Sequence, residues 1–219
     1  LGCLMLSTSS GRGDFDVNPK DTILYALAPL PYATGIFPLL LNDAISIEFL
    51  PPVKEAQKMS FSERNKKGFK MGLKKGIDFF FGVGSVTYYV SLSIASLGSG
   101  HKSGSGSGGG DGKKKISISP AMVVRLLKAK HLCRKEGRDL LPKDLFRLKG
   151  FMCAGTDNRL YRDDLEKLWG VRPMEIFAGT EPTCIGTEIW SRDGMYFFPD
   201  ACFYEFIPEK EMERSLADP

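Results

Sequence analysis

The chain has 219 residues, of which 42% are hydrophobic, and a formal net charge of +4 at pH 7. That length allows one large domain or two small ones with a buried core, and the charge is too small to argue by itself for nucleic acid. With only His101 and His131 present, there is little material for a histidine metal cluster or a Ser-His-Asp triad.

In chain order, Leu4-Met5-Leu6 reads as an apolar strand opening into Ser7-Thr8-Ser9-Ser10-Gly11, whose hydroxyls and backbone N–H groups suit phosphate oxygens. Thr22–Leu27 reads as a strand that ends in a rigid turn, Pro29-Leu30-Pro31, followed by the aromatic Tyr32. Gly35–Leu41 is expected to be the helix packed behind it, and Ala44–Leu50 the next strand, stopped by Pro51-Pro52. Ser60–Lys75 reads as a basic helix carrying Arg64, Lys66, Lys67, Lys70, Lys74 and Lys75. Such a run is either a solvated face or an attraction for an anionic partner, and it lacks the interleaved aromatics of a nucleic-acid platform. Asp78–Gly84 is a buried strand with a glycine exit.

Residues 98–115 are of a different kind: glycine, serine and lysine with His101 and Asp111 and no apolar side chain, a flexible spacer. Gly104–Gly109 formally matches Gly-x-Gly-x-x-Gly, but it neither follows a strand nor opens a helix. Beyond it, Ser119 and Pro120 are a plausible N-cap and first-turn residue of a helix running to about Lys135. Leu148–Asp157 is a strand ending in the small-residue turn Ala154-Gly155-Thr156, Arg162–Trp169 a helix, and Glu175-Ile176-Phe177 a short strand leading into Ala178-Gly179-Thr180-Glu181. Met195–Pro199 and Cys202–Pro208 read as a terminal hairpin. Strands alternating with helices predict an α/β fold with a mostly parallel sheet flanked by helices. Residues 1–97 and 116–219 would be two halves of one domain.

Cys3, Cys133, Cys153, Cys184 and Cys202 are scattered and show no Cys-x-x-Cys spacing, which favours reduced thiols in a cytoplasmic protein over a disulfide framework or zinc site. No segment reads as a signal peptide, and the apolar run around Phe79–Phe81 is far shorter than the roughly 20 residues of a membrane span. Neither a membrane nor a nucleic-acid partner is expected. A start at Leu1 and an end without a closing element read as a piece of a longer protein.

Taken alone, Phe177–Glu181 is either a strand-to-loop turn with a solvated acid or a nucleotide-binding turn at a strand end. Its order behind Ser7–Gly11 and Pro29–Gly35 resembles the acyl-adenylate-forming enzymes. Their motifs run Ser/Thr-Ser-Gly-Thr-Thr-Gly, Pro-x-x-aromatic/His-x-x-Gly and Tyr-Gly-x-Thr-Glu. Phe203-Tyr204-Glu205-Phe206-Ile207-Pro208 narrows the resemblance to the bacterial branch of the auxin-responsive Gretchen-Hagen-three family, the acyl acid–amido synthetases, with phenylacetate–CoA ligases close by.

The resemblance implies the large N-terminal domain of such an enzyme, converting a small carboxylic acid and ATP to acyl-AMP and passing it to an amine, or to CoA in the aryl-CoA ligase alternative. It implies that Ser7, Thr8, Ser9, Ser10 and Gly11 hold phosphate, and that Ala154, Gly155 and Thr156 slide under the adenine opposite Phe177, Ala178 and Gly179. Thr180 would bond the α-phosphate and Glu181 hold Mg²⁺. Tyr32, Gly35, Val83 and Gly84 would line the acid's site. Arg12-Gly13-Asp14-Phe15 replaces the second half of the family's phosphate loop, so a non-catalytic nucleotide-binding or interaction protein on the same fold is the competing reading. Glu188 and Asp200 are expected to be surface or turn acids.

Overall fold

The computed structural model describes residues 1–27, 30, 32–99, 119–179, 181 and 184–217. Along the chain these form α1 (Gly2–Thr8), β1 (Thr22–Ala26), α2 (Ala33–Ala44), β2 (Glu48–Leu50), α3 (Val53–Ala56), α4 (Phe61–Lys75), β3 (Phe79–Val83) and α5 (Gly84–Ser99). Then follow α6 (Pro120–Glu136), α7 (Pro142–Leu145), β4 (Gly150–Ala154), α8 (Asn158–Trp169), β5 (Met174–Phe177), β6 (Gly186–Thr187), β7 (Tyr196–Phe197) and α9 (Glu209–Ala217). Apart from residues 98 and 99, which end α5, the spacer at 98–115 lies outside the described residues, as does Gly104–Gly109.

One sheet runs β2-β1-β3-β4-β5-β6-β7. Its first five strands in that order are parallel, and β6 and β7 continue it antiparallel. The α/β expectation therefore holds, and the two halves of the chain meet in the β3–β4 ladder, where Phe79 pairs with Gly150 and Val83 with Ala154. β1, β3 and β4 are apolar without alternation because both faces of the sheet are covered. Ile23, Tyr25, Phe79, Phe81 and Met152 face α1, α2 and α3, whereas Leu24, Ala26, Phe80, Phe151 and Cys153 face α4 to α8. On that second face Trp169 packs on Phe80, Phe146 and Phe151, and its indole N–H donates to Ser91 Oγ at 2.8 Å.

The chain leaves β1 for edge strand β2 over one face, by α2, and returns past β1 to β3 over the other face, by α4. This reversal puts the topological switch point between β1 and β3, at whose carboxyl ends doubly wound sheets open a crevice.

Three expectations are corrected. Leu4–Ser7 is helix and not strand. Leu4 is buried on the sheet, and the Ser7 and Thr8 hydroxyls donate to the carbonyls of Leu4 and Met5 at 2.7 and 2.8 Å, one helical turn back. The strand expected at Ala44–Leu50 keeps only Glu48–Leu50, since α2 runs on to Ala44. The terminal hairpin is also replaced: β7 pairs with β6, and Cys202–Pro208 is irregular, with the Tyr204 hydroxyl donating to the Ile185 carbonyl at 2.8 Å.

Candidate functional site

The carboxyl ends of β1, β3, β4 and β5 open on one edge. At the centre β3 passes directly into α5, so Val83 ends the strand and Gly84 begins the helix. A Cβ on Gly84 would lie 2.4 Å from Asn158 Oδ1 and 3.1 Å from Asn158 Cα, a closeness that only glycine permits. Gly155, in the turn leaving β4, has φ +119°, a conformation side chains rarely adopt, and it faces Val83 and Asp157. Val83, Gly84, Gly155, Asp157 and Asn158 therefore form one knot where α5 and α8 begin. Within it Asn158 is buried and donates through Nδ2 to the Cys153 carbonyl at 3.1 Å, while its Oδ1 accepts no bond. A buried unpaired acceptor costs about 1–3 kcal/mol and is suited to a donor such as an amino group.

The neighbouring exit carries Phe177, Ala178 and Gly179. Ala154 pairs with Ile176, so the turns after β4 and β5 lie side by side. Phe177 is 47% exposed, and its carbonyl receives the returning chain from the Ile185 N–H at 2.8 Å. Glu181 is exposed in the following turn, and Thr180 lies outside the described residues. Among the described residues no three His, Cys, Asp or Glu side chains cluster to hold a metal. A lone exposed carboxylate suits an ion carried mainly by phosphate oxygens and waters, the habit of Mg²⁺.

At the β1 exit, Tyr25, Leu27, Leu30, Gly35, Val53 and Arg64 help line a cleft of about 150 Å³. Arg64 is 5% exposed, and its guanidinium lies 5.4 Å from the Tyr25 ring centroid and 5.2 Å from that of Phe61. Nη2 donates to the Leu27 carbonyl, Nε has no partner, and no carboxylate among the described residues pairs with the charge. Burial pushes the Arg64 pKa down from its ordinary value and that of Tyr25 up to about 12, each opposed by the other's charge. Tyr32, by contrast, is 62% exposed and does not line this cleft, whereas Gly35 does.

Ser7–Gly11 lies at the other end of the sheet. Ser7 Oγ sits 2.2 Å from where a Cβ on Gly150, the first residue of β4, would be. Thr8 Oγ1 accepts from the Asp16 N–H at 2.9 Å, and Asp16 and Asp21 pair with Lys149. Because β4 has five residues, at about 3.3 Å each, this segment stands roughly 13 Å from the Ala154 end. The hydroxyls of Ser7, Thr8, Ser9 and Ser10 bond within their own turns, to Leu4 O, Met5 O, Gly11 O and Asp14. The expected phosphate role of Ser7, Thr8, Ser9, Ser10 and Gly11 at a shared nucleotide site is therefore corrected: the helix carries them to the amino edge.

Sequence reasoning passed over three residues. Arg64 belongs to the basic run read as either a solvated face or an attraction for an anion, yet its spacing from Gly68 and Gly72 puts it on the inward face of α4. Lys67 and Lys75 do behave as surface charges, paired with Glu55 and Glu48. Asn158 carried no motif. Glu188, expected at the surface, is buried, accepts from the Glu175 N–H at 2.9 Å and lies 3.5 Å from both Arg162 and Arg192. Burial first, and then the Glu188 charge, push the Glu175 carboxyl pKa up.

Fold and site define a doubly wound α/β protein in which, among the described residues, small-residue turns, the buried Arg64 cation and the unpaired Asn158 Oδ1 gather at the carboxyl edge of the sheet. No family model and no curated protein matches the chain.

Proposed function

We propose that this chain is the nucleotide- and acid-binding part of an acyl-adenylate-forming ligase of the cytoplasm, joining a small carboxylic acid to ATP and passing the acyl group to an amine, with CoA as the alternative acceptor. One observation carries the reading. Gly35, Val83–Gly84, Ala154–Thr156, Phe177–Gly179 and Glu181 are spread over most of the chain, yet all come to the carboxyl edge.

In this reading the acid enters the cleft at the β1 exit with its apolar body against Leu27, Leu30 and Val53, and Arg64 draws in and orients its carboxylate. The carboxylate is already ionised at neutral pH, so the first step needs no general base. Gly155 and Ala178 let the backbone approach a flat base from two sides, and the free Asn158 Oδ1 accepts from an amino group. Glu181 would hold Mg²⁺, which when bound screens the charge building on the phosphates.

The misfit is in the phosphate grip, since Ser7–Gly11 stands at the amino edge. That observation favours the second reading, a nucleotide-binding or interaction protein that does not turn over.

Calorimetric titration separates the two. The ligase reading expects Mg·ATP to bind more tightly than AMP, an advantage lost in Glu181→Ala or with EDTA, and pyrophosphate release on adding acid. Equal affinity for AMP and Mg·ATP, unchanged by Glu181→Ala, would leave only the second reading.

A further inference from the structure

We propose that Cys3 and Cys184 are a reversible disulfide pair, a modification site that ties the first turn of α1 to the connection between β5 and β6. The two sulfurs lie 3.7 Å apart and both side chains are half-buried, although 181 positions separate them in sequence. A disulfide needs about 2.05 Å, so a closure of roughly 1.7 Å suffices, within reach of side-chain rotation and a small shift of the connection.

Each side of the pair is differently held. On one side α1 is fixed to the sheet: Leu4 is 1% exposed, and Gly2 lies against the Phe198 ring. On the other side Cys184 follows the turn carrying Glu181 and precedes Ile185, whose N–H and carbonyl bond Phe177 and Tyr204. Closing the bond therefore pins Cys184 and Ile185 onto α1.

The chemistry is asymmetric. Either sulfur can be the donor; with Cys3 donating, the bond lowers the Cys184 pKa to about 7 against the opposing effect of burial, and the same bond, then burial, push Cys3 up. Cys184 is thus the thiolate and Cys3 the resolving thiol. With a peroxide as oxidant, the Cys184 thiolate attacks the O–O bond, giving a sulfenic acid and hydroxide, which solvent protonates. Cys3 then gives up its proton and attacks the Cys184 sulfur, and the S–O bond breaks to release water. The two thiols lose two electrons and two protons, and hydrogen peroxide becomes two waters. A small dithiol reverses the reaction by exchange. Cys133 and Cys153 are buried, with pKa values pushed up chiefly by burial, and are poor competitors.

The inference does not depend on the ligase reading. The full chain is treated with a small excess of hydrogen peroxide near pH 7.5, then denatured and assayed for thiols and by peptide mass mapping. Two fewer thiols than the five in the sequence, a Cys3–Cys184 linked peptide, and full reversal by dithiothreitol are expected. Cys3→Ser should leave Cys184 trapped as sulfenic acid, captured by dimedone, and Cys184→Ser should abolish the fast reaction. Native circular dichroism of both variants checks that they fold. Five thiols remaining in folded protein, or a linked peptide joining another pair, would overturn the proposal. In the oxidised form, slower hydrogen exchange at Cys184 and Ile185 is the expected structural signature, and unchanged exchange there would overturn the pinning.

Discussion

Replacing Arg64 by methionine separates a binding role from a structural one. The guanidinium is buried over Tyr25 and Phe61, holds the Leu27 carbonyl and faces no carboxylate among the described residues. Losing it forfeits two cation–aromatic contacts of about 0.5–2 kcal/mol each and a charge-assisted bond of about 1.5–3 kcal/mol. Relief of an unpaired buried charge returns several kcal/mol, and methionine refills the volume, so net stability should move by no more than about 2 kcal/mol. Binding has no such compensation. A carboxylate in the cleft loses one charge-assisted bond of about 1.5–3 kcal/mol, or roughly 10- to 150-fold in affinity. The assay is urea denaturation beside calorimetric titration with benzoate, a flat monocarboxylate, and with benzamide, its neutral counterpart. The expected result is wild-type binding of benzoate over benzamide, lost in Arg64→Met and partly kept in Arg64→Lys. A drop in stability above about 4 kcal/mol with benzoate affinity unchanged would show instead that Arg64 is a strut for the β1 exit.

Gly84→Ala should destabilise by about 1–3 kcal/mol, because the new methyl group would stand 2.4 Å from Asn158 Oδ1 and 3.1 Å from its Cα. A thermal melt indistinguishable from wild type would show that α5 and α8 do not meet there. Asp144 is nearly buried against Arg138, at 2.7 Å, and accepts from the Leu141 N–H at 2.8 Å. Burial raises its pKa, but the Arg138, Leu141 and Cys133 bonds outweigh burial and leave it below the usual carboxylate range. A depressed folded pKa means stability that is complete above the unfolded value of about 3.9 and fades as pH falls towards the folded one. Asp144→Asn should therefore cost about 1–3 kcal/mol at pH 7 and progressively less below about pH 4, where denaturation of both forms should converge. A cost independent of pH would rule out the ion pair as its source.

The sheet was legible because β1, β3 and β4 are uninterrupted apolar runs, a pattern that only strands covered on both faces need. Their exits were legible for a related reason: Gly84 and Gly155 sit where two helices and two strands converge and a side chain does not fit. Leu4–Ser7 misled because three apolar residues followed by hydroxyls satisfy a strand and a helix equally, and only the sheet surface beneath Leu4 decides between them. The helix α5 gave no periodic signal. Its Tyr88, Tyr89 and Val90 favour strands, and two of its hydroxyls bond back, Ser91 to the Thr87 carbonyl at 2.6 Å and Ser93 to that of Tyr89 at 2.9 Å.

Arg64 exposes a different weakness, that of judging a charge by its neighbours in sequence. Lysines surround it, and Lys67 and Lys75 are surface charges, yet Arg64 is buried and packs on the Tyr25 ring of β1. The same rule applies to the phosphate loop. Ser7–Gly11 has the residue types for phosphate, but the site demands that they arrive at the end of a strand, and α1 delivers them to the opposite edge. What the carboxyl edge does offer is a close-packed glycine turn at Gly155 and a buried cation, Arg64, that faces no carboxylate among the described residues. The two cysteines that meet across 181 positions lie beside it, so the connection that carries Glu181 is also the one a thiol reaction can hold.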